Sequence, residues 1–298
     1  MTADLNPGPR WFFDLSARVK LRLTGVDCVR FLNGQITNDV RKATPATAIQ
    51  ASVLNAKGKM SAHVFISKDS HGAFLLDADA ELRDELPARL ERYIIADDVQ
   101  IEDVTGGFSL FHFLAESPAT GNGPKLTISS DRFGMAGWDC WFDPVDRNEL
   151  IARFSDRFTF CDEAAAETFR MERGIARWGH ELTSEIIPVE ANLEGNSIDY
   201  AKGCYIGQEV ISRMKISGQM NKRLCGLVSC SGAPLGAGMR LAREDVPDKE
   251  AGWVTSATTS LRLGKEIALG FVKRGSNDPG TRLLAQGIPV EVTALPFI

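Results

Sequence analysis

Phe13, Leu15, Val19, Leu21 and Leu23 alternate with polar residues up to Gly25, the period-two pattern of a half-buried strand. Asp27 then stands where it could cap a short helix carrying Val29 and Leu32, closed by Asn33-Gly34. A β-rich stretch from Ala48 to Asp77 is interrupted by Lys57-Gly58-Lys59, a predicted hairpin tip. Leu82, Leu86, Leu90 and Ile94 recur every fourth position and fall on one face of a helix, with Pro87 expected to kink it or to open a new first turn. Strand spacing returns at Val99, Ile101, Val104 and Phe108–Leu114, and an exposed turn over 115–123 is closed by Pro124. A further helix is predicted over Asp162–Arg173, stopped by Gly174. From Leu224 onward the pattern changes. Leu224–Cys230, Met239–Leu241, Gly252–Ser256, Ile267–Val272, Leu283–Ala285 and Val290–Val292 are short apolar runs divided by Gly- and Pro-bearing turns, as in a small antiparallel barrel or sandwich. The expected division is therefore 1–223, an α+β region of two interwoven lobes, and 224–298, a β-barrel.

A chain of 298 residues has room for about two domains. Its 44% apolar and 24% charged residues exclude a disordered chain. No apolar run approaches the ~18 residues of a membrane helix, so no membrane association is expected. The first dozen residues lack a basic-then-apolar signal pattern, which leads us to expect a protein kept inside a cell or organelle. The net charge of −5 argues against wholesale binding to nucleic acid or anionic lipid. The six cysteines form no CxxC and read as free thiols.

Chemistry concentrates in Lys202-Gly203-Cys204-Tyr205-Ile206-Gly207-Gln208-Glu209. Two glycines bracket Cys204, Lys202 lies two residues before it, and Gln208-Glu209-Val210-Ile211 can begin a helix. A neighbouring cation and a helix N-terminus both lower a thiol pKa from ~8.5 toward neutrality, which makes Cys204 and Lys202 the catalytic candidates. The competing reading is a tight turn around a buried thiol. Between Lys202 and Arg223 there are five cations (Lys202, Arg213, Lys215, Lys222 and Arg223) against Glu209 alone, a basic run that is either a solvated face or an anion site.

This octamer, followed by Arg213, resembles the signature of the YgfZ family of folate-binding proteins, relatives of the glycine cleavage T-protein (aminomethyltransferase) and of mitochondrial iron–sulfur assembly factors. The resemblance continues through Gly25–Val40, Leu54–Lys59, Arg170–Ile175, Trp178-Gly179, Ile187–Ala191, Gly252–Ser256 and Ile267–Val272, in order along nearly the whole chain. It implies a three-lobed, T-protein-like ring with tetrahydrofolate, or another reduced folate, in a central hole. It also implies that Glu172, in the Arg-x-Glu-x-Gly block, anchors the pterin, with Lys202, Trp178, Tyr205 and Arg213 as further cofactor-binding candidates. One carboxylate can accept the pterin's adjacent N–H and exocyclic amine together. Transferring members carry an Asp on the strand after the Lys-Gly-Lys turn; here Ala62 falls at that position, with His63 next to it.

The resemblance points to a folate-binding protein that supports iron–sulfur cluster assembly or repair in client enzymes, including tRNA-modifying ones. Its partners would be those client or assembly proteins, with no direct nucleic-acid contact and a monomeric state. A second reading is a folate-dependent one-carbon (aminomethyl) transferase or demethylase using a different acid. A third, an interaction module holding metal through Cys204, Cys225 and Cys230, is disfavoured because the Cys225–Cys230 offset turns the two thiols to opposite strand faces.

Overall fold

The structure, a computed structural model, describes residues 10–118, 123–246 and 249–298. Its strands are β1 (Trp11–Asp14), β2 (Val19–Thr24), β3 (Ile49–Leu54), β4 (Met60–Lys68), β5 (Phe74–Ala78), β6 (Gln100–Asp103), β7 (Ser109–Leu114), β8 (Leu126–Asp131), β9 (Ala136–Phe142) and β10 (Thr159–Cys161). β11 (Lys222–Ser229), β12 (Arg240–Arg243), β13 (Glu250–Ser260), β14 (Lys265–Lys273), β15 (Arg282–Ala285) and β16 (Ile288–Thr293) follow. The α-helices are α1 (Cys28–Gln35), α2 (Glu85–Glu91), α3 (Arg147–Phe154), α4 (Glu163–Glu172) and α5 (Gln208–Ser217). The chain divides into two compact units. One takes the chain up to Ala51 and Val64–Ala166; the other takes Ser52–His63 and Glu167–Ile298.

The first unit contains a sheet of order β10-β1-β7-β9-β8 and most of a second sheet of order β3-β4-β5-β2-β6. Phe12, Phe111, Phe113, Phe142, Phe154 and Phe158 form an aromatic core in which Phe12 stacks on Phe113 at 5.3 Å. A charge cluster is also buried there. Arg132 bonds both Asp77 and Asp139 at 2.7 Å and lies 4.0 Å over the Phe65 ring. Burial alone would raise the Asp139 carboxyl, but the Arg132 charge and the hydrogen bond with His112 outweigh it and hold the group well below the usual carboxylate range.

Two expected helices differ in extent. α1 runs through Asn33-Gly34 to Gln35, because the buried side chains of Phe31, Leu32 and Gln35 outweigh the roughly 1 kcal/mol that an interior glycine costs. Asp27 does not cap it; its carboxylate accepts the Asp98 N–H instead. α2 stops at Glu91, leaving Ile94 outside, and Pro87 sits in its first turn, where no intrahelical donor is required. Gly174 ends α4 as expected, with φ +67°. The turn expected over 115–123 lies partly outside the described residues.

The second unit is built on a closed six-stranded barrel of order β11-β14-β13-β12-β15-β16, antiparallel throughout. Each of the six apolar runs supplies one strand. The barrel starts at Lys222, while the compact unit around it also takes in α5, most of α4 and the β3–β4 hairpin tip. Leu54, Met60, Met171, Leu182, Ile211, Leu224, Leu269 and Phe271 share one core there. Among the described residues no helix is long and apolar enough to cross a membrane.

Candidate functional site

The octamer is an irregular segment pinned at both ends. Asp199 Oδ1 accepts the Ala201 N–H at 2.8 Å, an Asx turn that delivers the chain to Lys202. Tyr205 is buried in the core, and the Lys202 ammonium, also buried, lies 5.0 Å over the Tyr205 ring. Burial, with a smaller contribution from Tyr200, pushes the Tyr205 phenol up to about 12, so it stays neutral beneath the lysine at neutral pH. Cys204, between these two anchors, is exposed. The tight turn with a buried thiol is thereby excluded.

The Lys57-Gly58-Lys59 tip fixes the far end of the octamer. Asn55 Oδ1 accepts the N–H groups of Lys57 and Lys59 at 2.9 and 3.1 Å, which closes the tip. Gly207, the N-cap of α5, has φ +83°, and a Cβ there would lie 2.7 Å from Asn55 O and 3.1 Å from Gly58 Cα. Gly58 has φ +73°, and its Cβ would lie 2.7 Å from Val210 Cβ. The two turns interlock: the missing Cβ of Gly207 leaves room for the backbone of the hairpin tip, and the missing Cβ of Gly58 leaves room for the Val210 side chain of α5. Two motifs far apart in the sequence thus become one structure. Gly203, by contrast, faces open space.

Glu172 belongs to the barrel side of its helix. Its side chain is 2% exposed, its Oε1 accepts from Ser260 Oγ at 2.5 Å, and Arg262 Nη1 lies 3.5 Å from Oε2. Each carboxylate oxygen has more than one acceptor position, so the group keeps capacity for further donors and fits a pterin edge chemically. Trp178 is half-buried against the shared core. Arg213 is on the solvent face of α5, paired with Glu209 at 2.5 Å. The rest of the basic run is also engaged: Lys215 lies 3.7 Å over Tyr200, Lys222 pairs with Glu190 at 3.1 Å, and Arg223 pairs with Glu194 at 2.7 Å. Cys225 is buried and Cys230 exposed, and no group of three or more metal-ligating side chains occurs among the described residues.

One cluster escaped the sequence reading. Glu181 is fully buried, and it accepts from Arg170 Nη1 (2.9 Å), the Arg177 N–H (3.1 Å), Thr255 Oγ1 (2.7 Å) and Ser256 Oγ (2.6 Å). Consecutive strand residues normally face opposite ways, but the β13–β14 register shifts between Val254 and Ser256, a bulge that lets both hydroxyls reach one carboxylate. This network bolts α4 to the barrel.

The family model of the glycine cleavage T-protein C-terminal barrel domain matches residues 222–298. The crystal structure of glycine cleavage system aminomethyltransferase T from Bartonella henselae superposes on 97% of the chain, covering 87% of its own, with TM-score 0.84 and 18% identity. The chain has the T-protein fold. Its T-protein-like relatives include the mitochondrial aminomethyltransferase of Mesembryanthemum crystallinum, 27% identical over 324 residues (96% of this chain, 78% of the relative). The mitochondrial iron–sulfur cluster assembly factor IBA57 homolog of Dictyostelium discoideum is 24% identical over 251 residues, 72% of this chain and 61% of that protein. Where the resemblance places the acid of T-protein transferases, this T-protein-like chain has Ala62, which is fully buried. His63 beside it is buried too, with Nε2 3.2 Å from Ser197 Oγ.

Proposed function

We propose that this protein binds tetrahydrofolate or another reduced folate and supports assembly or repair of iron–sulfur clusters in client enzymes, tRNA-modifying ones among them. The observation that carries the reading is the exposed Cys204 thiol held between two buried anchors, Lys202 and Tyr205, on a T-protein fold. A thiol presented this rigidly can meet a partner protein or a reactive one-carbon species without ordering a loop first. Glu172 accepts the pterin's paired donors, and the bound folate supplies a one-carbon acceptor or carrier. Lys202 and Tyr205 hold Cys204 in place, Trp178 closes the core beside them, and Arg213 presents charge on the outer face of α5. The iron–sulfur part of the reading draws on the assembly-factor homologue. The partners are iron–sulfur client or assembly proteins rather than RNA, the protein acts as a monomer, and its place is bacterial cytoplasm or mitochondrial matrix.

Anaerobic titration with tetrahydrofolate, combined with complementation in cells lacking the protein, tests the assignment. Glu172→Gln is expected to lose folate affinity; unchanged affinity removes Glu172 as the anchor. Cys204→Ser is expected to bind folate but fail to restore cluster-dependent enzyme activity; full restoration removes the thiol's role. The aminomethyltransferase relatives favour a second reading, a folate-dependent transferase or demethylase. Ala62 weighs against it, since a methyl group can neither accept a proton nor stabilise an iminium. Turnover of an aminomethyl donor that survives Cys204→Ser would establish it.

A further inference from the structure

One cavity lies wholly within the first unit, where the end of β2, the turn between β4 and β5 and the start of α1 meet. It encloses about 280 Å³, the lower end of the range for small-molecule sites. Arg22, Lys68 and His71 line it, and among the described residues no acid does, in a chain of net charge −5. The Lys68 ammonium lies 4.7 Å over the Phe74 ring, with no carboxylate partner among the described residues. Asp69, the acid that could cancel these charges, is already committed. Its Oδ1 accepts the N–H groups of His71 and Ala73 at 2.8 and 2.9 Å. Its Oδ2 accepts Arg22 Nε at 3.2 Å, which leaves both Nη groups of Arg22 without a carboxylate among the described residues. The acids beside α1 are committed too. Asp98 Oδ2 accepts the Val26 N–H at 3.4 Å, and Asp27 pairs with Arg30 at 3.2 Å while accepting the Asp98 N–H at 2.9 Å.

We infer that this cavity is a binding site for a small phosphate monoester. One cation is held by an aromatic ring and the other by a carboxylate, so both can donate to a dianion's oxygens with little further ordering, and the exposed His71 ring adds a third donor. A cleft lined by one sign of charge concentrates the field within it, so a small anion is drawn in although the whole molecule is acidic. The same overall charge repels a polyanion, which sets RNA aside. Val26 and Val29, exposed on the α1 side of the lining, form an apolar lip that an organic substituent covers and a bare phosphate does not. The site makes no use of Cys204 or Glu172, and it stands independently of the folate reading.

The probes are phenyl phosphate and inorganic phosphate, titrated by calorimetry against the whole protein at low salt. Phenyl phosphate should saturate one site with a Kd below about 1 mM and bind more tightly than inorganic phosphate. Lys68→Met keeps a side chain against Phe74 but removes the charge; it should weaken phenyl phosphate roughly five- to twenty-fold with the melting temperature unchanged. Lys125→Met removes an exposed charge of the same unit outside the cavity and should leave the affinity within about two-fold. A Kd above about 1 mM, a Lys68→Met protein weakened no more than Lys125→Met, or inorganic phosphate binding as tightly as phenyl phosphate overturns the proposal. So does a tRNA that binds more tightly than phenyl phosphate and loses affinity in Lys68→Met, which would make the cavity part of a nucleic-acid surface.

Discussion

Replacing Gly207 by alanine tests whether the interlock of the two glycine turns holds the candidate site together. Gly207 has φ +83° and ψ 0°, a left-handed conformation that costs an alanine roughly 1–2 kcal/mol. The new Cβ would also stand 2.7 Å from Asn55 O and 3.1 Å from Gly58 Cα, both backbone atoms that cannot rotate away. Relief requires the hairpin tip to move, at about 1–3 kcal/mol for an overpacked site. The combined loss of about 2–5 kcal/mol corresponds to a melting temperature lower by roughly 5–20 °C in a unit of this size. Differential scanning calorimetry measures it, with Gly203→Ala as the control, expected within about 0.5 kcal/mol of wild type because its Cβ meets nothing. Gly58→Ala should be partly rescued by Val210→Gly, which removes the Cβ it strikes at 2.7 Å. A Gly207→Ala protein melting within a degree or two of wild type would refute the reasoning.

Glu181→Gln places two amide hydrogens among four donors, while the buried Arg170 keeps Glu167 as its counter-charge; the expected loss is about 1–3 kcal/mol in urea unfolding, and no measurable loss would show that the network matters little. With a thiol reagent under native conditions, Cys204 and Cys230 should react quickly and the other four slowly, since burial pushes the thiols of Cys161 and Cys225 up to about 11; peptide mass spectrometry showing a protected Cys204 would contradict the site's geometry. Burial lowers the Lys20 ammonium from 10.5 to about 8, against the pull of Asp77. Between those values the unfolded chain binds more protons than the folded one, so this site's contribution to stability rises as pH climbs from about 8 toward 10.5. Lys20→Met should flatten that rise in pH-dependent unfolding, and an unchanged slope would be evidence against it.

The barrel was legible because each strand is a short apolar run bracketed by residues that break it, a local signal that tertiary context did not override. α1 was misjudged for the opposite reason: Asn33-Gly34 is a local stop signal, but the packing of Phe31, Leu32 and Gln35 decided the helix end. The octamer announced an unusual backbone, and Gly207 has one, yet only the fold reveals that Asn55 and Gly58 lie against it. The basic run from Lys202 to Arg223 was misleading as arithmetic. Its acids and rings (Glu190, Glu194, Tyr200, Tyr205) lie outside the window or carry no formal charge, so each cation turns out engaged where the sum left four in surplus. The Glu181 cluster left no trace, since its hydroxyl partners lie 74 and 75 residues away and depend on a bulge for their direction.

The β3–β4 tip, Ser52–His63, matters for how the chain is made and cut. Leu54 and Met60 fill a core whose other members all follow Glu167, so a ribosome emits this tip early and must finish Val64–Ala166 before anything exists for it to grip. Until then those apolar side chains wait without their cavity. A gene fragment opening at Glu167 would produce a barrel with a hole in its flank, whereas grafting Ser52–His63 onto that fragment through a short linker restores the missing wedge.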